Sequence, residues 1–170
     1  GFAGAENLSL IPGSVGASPI QNIGAYGVEL KGIFYSCRAF EISTGRVLTF
    51  SNADCGFAYR DSIFKKELKG KVIITEVTFK LSTIPKLNTS YGAIKQELEK
   101  RGIDKPTIKD ISKIVSEIRV SKLPDPSTIG NAGSFFKNPV IRVDKFRQLQ
   151  STFPDIVHFS VENGFEKIAA

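Results

Sequence analysis

Alternating and helically spaced apolar residues divide this chain into recognisable elements. Ile33 to Ile42, then Ser43-Thr44-Gly45, then Arg46 to Phe50 read as a β-hairpin, two strand-forming runs about a glycine-bearing turn. Val77, Phe79 and Leu81 alternate with polar neighbours behind the continuous run Val72-Ile73-Ile74. That pattern predicts a strand over 71–81, buried on both faces at its start. Tyr91 to Arg101 has helical composition, and Gly102 supplies a stop. Thr107-Ile108-Lys109-Asp110 has the form of a capping box, with Asp where Glu or Gln is usual. Ile108, Ile111, Val115 and Ile118 then recur at helical spacing. Pro124 and Pro126 break the chain. Beyond them the sequence predicts a glycine-rich turn from Gly130 to Ser134, a short strand near Val140-Ile141 and a helix from Asp144 to Thr152. No internal repeat is present.

Residues 1–30 follow neither period. Gly, Ala, Ser and Asn dominate, and glycines at 13, 16, 24 and 27 permit positive φ and close backbone approach. An irregular run of this length is either disordered or a binding loop. Isoleucine or valine at 11, 15, 20, 23 and 28 argues against disorder. A loop wrapped on a ligand is the favoured reading.

Composition narrows the class. The 170 residues suffice for one domain or two small ones, and 41% hydrophobic with 24% charged residues is a globular balance. The longest apolar runs are too short to cross a bilayer, so no membrane span is expected. A net charge of +6 fits a solvated basic surface or an attraction for polyanionic small molecules. Nucleic acid is a weaker partner, because the basic residues are dispersed. Cys37 and Cys55 have no CxxC spacing and read as reduced, partly buried thiols, which suits a cytoplasmic protein. With one histidine, His158, no metal site is expected.

Three stretches offer chemistry. Backbone N–H groups in the loop at 13–27 suit a diphosphate, while Gln21 and Asn22 bring amide donors and acceptors. The loop is not GxGxxG, and an ordinary surface loop has the same composition. Arg60, in Tyr59-Arg60-Asp61-Ser62-Ile63-Phe64-Lys65, reads on this segment alone as a structural ion-pair partner ahead of an anion-binding group. Ser134, in Gly130-Asn-Ala-Gly-Ser-Phe-Phe-Lys-Asn-Pro139, is a substrate-facing hydroxyl or a turn serine. No GxSxG elbow or evident triad accompanies it, which disfavours a hydrolase.

Resemblance carries the reading further. The stretch from Ile11-Pro-Gly-Ser-Val-Gly to Ala25-Tyr-Gly-Val-Glu29 resembles the flavin-binding segment of the enolpyruvoylglucosamine reductases. Tyr59 to Lys65 resembles their arginine motif. Lys122-Leu-Pro-Asp-Pro126 with Gly130 to Pro139 resembles their serine motif. The three occur in family order, and the resemblance spans essentially the whole chain.

The resemblance implies an FAD enzyme that uses NADPH to reduce the enolpyruvyl group of UDP-N-acetylglucosamine-enolpyruvate, giving UDP-N-acetylmuramate for bacterial peptidoglycan. It implies that Ser134 protonates C2 and that Arg60 pairs with the enolpyruvyl carboxylate. Tyr91, in Thr89-Ser-Tyr-Gly92, matches a tyrosine that closes over the nucleotide diphosphate; Lys122 and Asn138 match residues lining substrate. Gly13, Ser14, Gly16, Ala17, Ser18, Ile20, Gln21, Asn22 and Gly24 fall where the family touches FAD, and Ile74 adds a packing contact. Ala17 stands where some members carry serine.

The fold the resemblance implies is α+β. Residues 1–120 would form part of the second lobe of an FAD-binding domain of the VAO/PCMH type. Residues 121–170 would open an incomplete α/β substrate-binding domain. Nothing in the chain matches the family's earlier diphosphate loop or its later glutamate, and the first residue is not Met. The expectation is therefore an internal piece, missing N- and C-terminal parts of its own chain and inactive alone. A non-catalytic nucleotide-sugar-binding module is the alternative from another class. An oxidase of small alcohols is disfavoured, because no His or Cys is placed for covalent flavin attachment.

Overall fold

The computed structural model describes residues 1–125, 127–130 and 136–169, Glu162 by its backbone alone. They form two compact units, Gly1–Gly130 and Asn131–Ala170. The mixture of helices and antiparallel sheets makes the chain α+β.

In the first unit a short ribbon pairs β1 (Gly24–Ala25) with β2 (Val28–Glu29). Tyr26 and Gly27 join them with φ of 48° and 78°. Positive φ at both positions is what a two-residue hairpin of the right twist requires, and glycine meets it without strain. The main sheet has the order β4-β3-β5, all antiparallel, from β3 (Phe34–Glu41), β4 (Val47–Ser51) and β5 (Val72–Phe79). One face of the sheet covers a core of Leu30, Phe34, Cys37, Cys55 and Phe64, with Phe50, Leu68, Ile74 and Val77 at its margin. Edge-to-face contacts link Phe34 with Phe57 and Phe50 with Phe64. Contrary to the expectation from the run at 72–74, β5 is not buried on both faces at its start. Val72 and Ile74 are half-buried, but Ile73 is 57% exposed, opposite Phe40 on the outer face. A three-stranded antiparallel sheet needs only one covered face, so the apolar run did not mean two.

Helices α1 (Gly92–Lys100) and α2 (Ile108–Lys122) make a second core from Ile94, Leu98, Ile111, Ile114, Val115 and Ile118. The capping box at the start of α2 is present in both directions. Asp110 N–H reaches the Thr107 hydroxyl, and Thr107 N–H donates to the Asp110 carboxylate at 2.8 Å. Arg101 joins the helices by bonding Glu97 and Glu117, each at 2.7 Å. The Glu6–Leu8 turn packs on α2, where the Ser9 and Ser112 hydroxyls meet at 2.7 Å.

The second unit has a sheet of order β6-β8-β7, antiparallel throughout: β6 (Val140–Arg142), β7 (His158–Val161) and β8 (Phe165–Ile168). Helix α3 (Val143–Thr152) buries Phe146, whose ring lies 4.4 Å from that of His158. β6 and α3 lie where the periodicity puts them. β7 and β8 were not predicted: Phe159 and Val161 alternate with His158 and Ser160, but the run is only four residues long and β7 is exposed along its whole length. Among the described residues, no helix is long and apolar enough to cross a membrane.

Candidate functional site

The loop after Ile11 folds back on the edge of β5. Gly13 has φ of 107°, and Val15–Ala17 form a single 3-10 turn, tied down by the Ser18 hydroxyl donating to the Val15 carbonyl at 2.6 Å. At Gly16 a Cβ would come within 3.1 Å of the Ile74 carbonyl oxygen. Only glycine permits that approach without a backbone shift. Loop and strand together frame a groove of about 340 Å³, lined on one side by Ser14, Gly16, Ala17 and Ile20. The other walls are Phe64, Leu68, Gly70, Val72, Ile73 and Ile74. Its lining is mostly apolar, with no charged side chain.

Arg60 sits at the tip of a tight turn. Ala58 and Asp61 exchange both backbone hydrogen bonds at 3.1 Å, and Arg60 itself has φ of 54°. Its guanidinium donates to the Gly24 carbonyl at 2.5 Å and lies over the Tyr59 ring at 5.4 Å. Its own carbonyl accepts from Lys65 Nζ at 3.0 Å. Next to it, Asp61 pairs with Lys66 at 2.6 Å, which raises the lysine pKa first through the hydrogen bond and then through the charge. Ser62 is fully buried. Its hydroxyl donates to the Ile20 carbonyl at 2.6 Å and caps the following turn at Phe64 N–H.

The sequence-predicted residues thus fall into groups. Ser14, Gly16, Ala17, Ile20 and Ile74 line the groove, and Gly13 lies just before it in the chain. Ser18 and Asn22 are buried, with their side chains engaged inside the protein; Gln21 is exposed. Gly24 lies under Arg60, close enough that a Cβ there would meet the guanidinium at 2.8 Å. Tyr91 caps α1 and packs edge-on against Tyr26 with ring centres 5.2 Å apart. Burial pushes the Tyr26 phenol above its ordinary value, against the pull of Arg119. Lys122 is the exposed last residue of α2 in the first unit, and Asn138 belongs to the second. Ser134 lies outside the described residues.

No family model matches the chain. Among curated proteins, the UDP-N-acetylenolpyruvoylglucosamine reductase of Flavobacterium johnsoniae is 52% identical over 99% of this chain and 50% of its own length. The reductase of the same name from Amoebophilus asiaticus is 52% identical, and that from Pseudomonas syringae pv. syringae 49%, each over 100% of this chain and 50% of the relative. The chain belongs to the UDP-N-acetylenolpyruvoylglucosamine reductase family. It spans about half the length of the curated relatives it matches. A crystal structure of the reductase from Thermus caldophilus resembles it in fold, with a TM-score of 0.56 at 23% identity, covering 99% of this chain and 54% of that one.

The groove is compatible with part of the flavin cofactor that the resemblance to enolpyruvoylglucosamine reductases implies. A flat apolar ring suits walls of Ile20, Phe64, Leu68 and Ile74, and the close approach at Gly16 is a cradle that any Cβ would disturb. A diphosphate is not matched there, for want of cationic or multiple polar side chains in the lining. Phe64 and Leu68 were not anticipated as groove residues. Phe64 lies within the arginine motif and Leu68 three residues beyond its end, so the signal was proximity in sequence to a motif already found. Among the described residues no cluster suited to a metal ion occurs.

Proposed function

We propose that this chain forms part of an FAD-dependent, NADPH-driven reductase acting on UDP-N-acetylglucosamine-enolpyruvate in the bacterial cytoplasm, giving UDP-N-acetylmuramate for peptidoglycan. Residues 1–120 are then part of the second lobe of the FAD-binding domain, and 121–170 the opening of the substrate-binding domain. One observation carries this reading. The glycine loop that walls the groove also provides, at Gly24, the carbonyl that holds the Arg60 guanidinium. A cofactor cradle and a substrate-binding cation are thereby built on one piece of backbone.

Gly13, Ser14, Gly16, Ala17, Ser18, Ile20, Gln21, Gly24 and Ile74 would hold FAD; Asn22 stands apart because its carboxamide is committed to protein partners. Bound flavin would supply hydride transfer. Arg60 would orient the enolpyruvyl carboxylate through its permanently charged planar fork and stabilise negative charge that develops beside it. The Ser134 hydroxyl would deliver a proton to C2, a task that needs nearby cations because a hydroxyl is a weak acid. Tyr91, Lys122 and Asn138 would bind the diphosphate and sugar.

The test is Arg60→Lys in the full-length protein expressed from its natural reading frame. Lysine keeps the charge but not the fork, so turnover of the enolpyruvyl substrate should fall roughly tenfold to a thousandfold while NADPH still reduces bound flavin. If the wild-type protein binds the UDP-sugar yet oxidises no NADPH, the non-catalytic binding module is the correct reading instead.

A further inference from the structure

Asn22 is completely buried, holds φ of 45°, and engages its carboxamide at three points. Nδ2 donates to the Ala58 carbonyl and to Glu29 Oε2, both at 3.0 Å; Oδ1 accepts from the Lys31 N–H at 2.9 Å. The orientation is fixed by chemistry. A backbone N–H can only donate and a carbonyl only accept, so the flipped amide would lose both main-chain bonds.

Ala58 is the first residue of the turn that carries Arg60. A side-chain-bearing residue with φ of 54° is unfavourable on its own and persists where the surroundings over-determine it. Here they do. Asn22 holds the entry to the turn, the Ser62 hydroxyl holds its exit to Ile20, and the Gly24 carbonyl holds the guanidinium. Both the backbone and the head group of Arg60 are therefore anchored on residues 20–24.

We propose that Asn22 is a positioning residue for Arg60, its buried carboxamide locking the Ala58–Asp61 turn to the glycine loop so that the guanidinium has one place beside it. The catalytic consequence rests on the reading of Arg60 given above; the positional role does not. It also assigns Asn22 differently from the family resemblance, which has this position touching FAD.

The experiment uses Asn22→Ala and the isosteric Asn22→Asp in the full-length protein. Amide hydrogen exchange is the first measurement. Protection at Ala58 and Asp61 should fall roughly tenfold to a hundredfold, with β3 and β5 unaffected. Unchanged protection at those two amides overturns the proposal, whether or not the protein turns over. Kinetics come second. Turnover of the enolpyruvyl substrate should drop toward that of Arg60→Ala with FAD content and flavin reduction by NADPH retained, and Asn22→Ala should add nothing to Arg60→Ala. Loss of FAD with normal turnover of the flavin-loaded fraction would make Asn22 a cofactor ligand and overturn the proposal.

A rescue separates positioning from general stability. Asn22→Asp faces the Glu29 carboxylate, and adding Glu29→Gln relieves that repulsion. Melting temperature should recover, whereas Ala58 and Asp61 protection and turnover should not, because Asp cannot donate to the Ala58 carbonyl. Recovery of all three together overturns the positioning role. If wild-type protein shows no NADPH-driven turnover, the functional reading fails, and the exchange measurement still decides what Asn22 does.

Discussion

At Gly24 a single hydrogen atom in place of a side chain decides whether Arg60 can be held. A Cβ there would sit 2.8 Å from the guanidinium and 2.9 Å from the Val28 carbonyl oxygen. A long side chain can swing away, but the carbonyl belongs to the β1–β2 ribbon and cannot. Gly24→Ala should therefore cost about 1–3 kcal/mol in urea unfolding, in the range of other overpacked sites. A loss within a few tenths of that in an exposed surface substitution would mean the ribbon yields easily. The cysteines make a second case at this scale. Cys37 and Cys55 are 1% and 0% exposed and close enough for their thiols to hydrogen-bond. That bond and burial push the Cys55 thiol far up, so it stays protonated at neutral pH. Neither thiol should react with an aromatic disulfide reagent at neutral pH until urea unfolds the chain; a fast native burst would contradict this. Of the residues singled out by sequence, Gly16 and Gly24 were legible as sites of close approach, but which atom approaches each was not. The surroundings of Asn22 were hidden for the same reason: an amide in a polar loop looks available until its partners at 29, 31 and 58 are known.

Element by element, periodicity served best where one face alone is covered. Of Ile108, Ile111, Val115 and Ile118, the last three are buried in one core as their spacing requires, while Ile108 is only half-buried and Ile114 joins the core beside them. The capping box that starts the same helix has a measurable pH signature. Asp110 is held below the usual aspartate range, first by the hydrogen bond from the Thr107 hydroxyl and then by the Thr107 N–H. A carboxylate depressed in the folded state contributes stability above its unfolded value of 3.8, and loses it as pH falls through the lower folded value. Thr107→Ala should lose about 1 kcal/mol at neutral pH. The gap to wild type should then narrow on acidification below that value, as followed by helical circular dichroism; a gap that widens in acid would be the wrong sign. The strands were less legible. The run at 72–74 was read as doubly covered, and only the register of Ile73 opposite Phe40 reveals its outer face.

For the whole molecule, the groove has consequences for binding. Its walls contain no charged side chain to take a diphosphate, and the chain spans about half the length of its relatives. The 170-residue chain alone should bind FAD with a Kd weaker than about 10 μM, measured by flavin fluorescence titration. Stoichiometric FAD surviving gel filtration would show that the groove suffices by itself. What the sequence determined unaided were features fixed by neighbours along the chain: α2 and its cap, the β3–β4 hairpin, the glycine loop, and three motifs specific enough to indicate the family. What only the tertiary structure decided was which distant groups meet. Arg60 on Gly24, Asn22 on Ala58 and Ser62 on Ile20 join segments 36 to 42 residues apart. Such contacts leave no period in the sequence, because loop closure selects them by the geometry of the folded backbone rather than by local propensity.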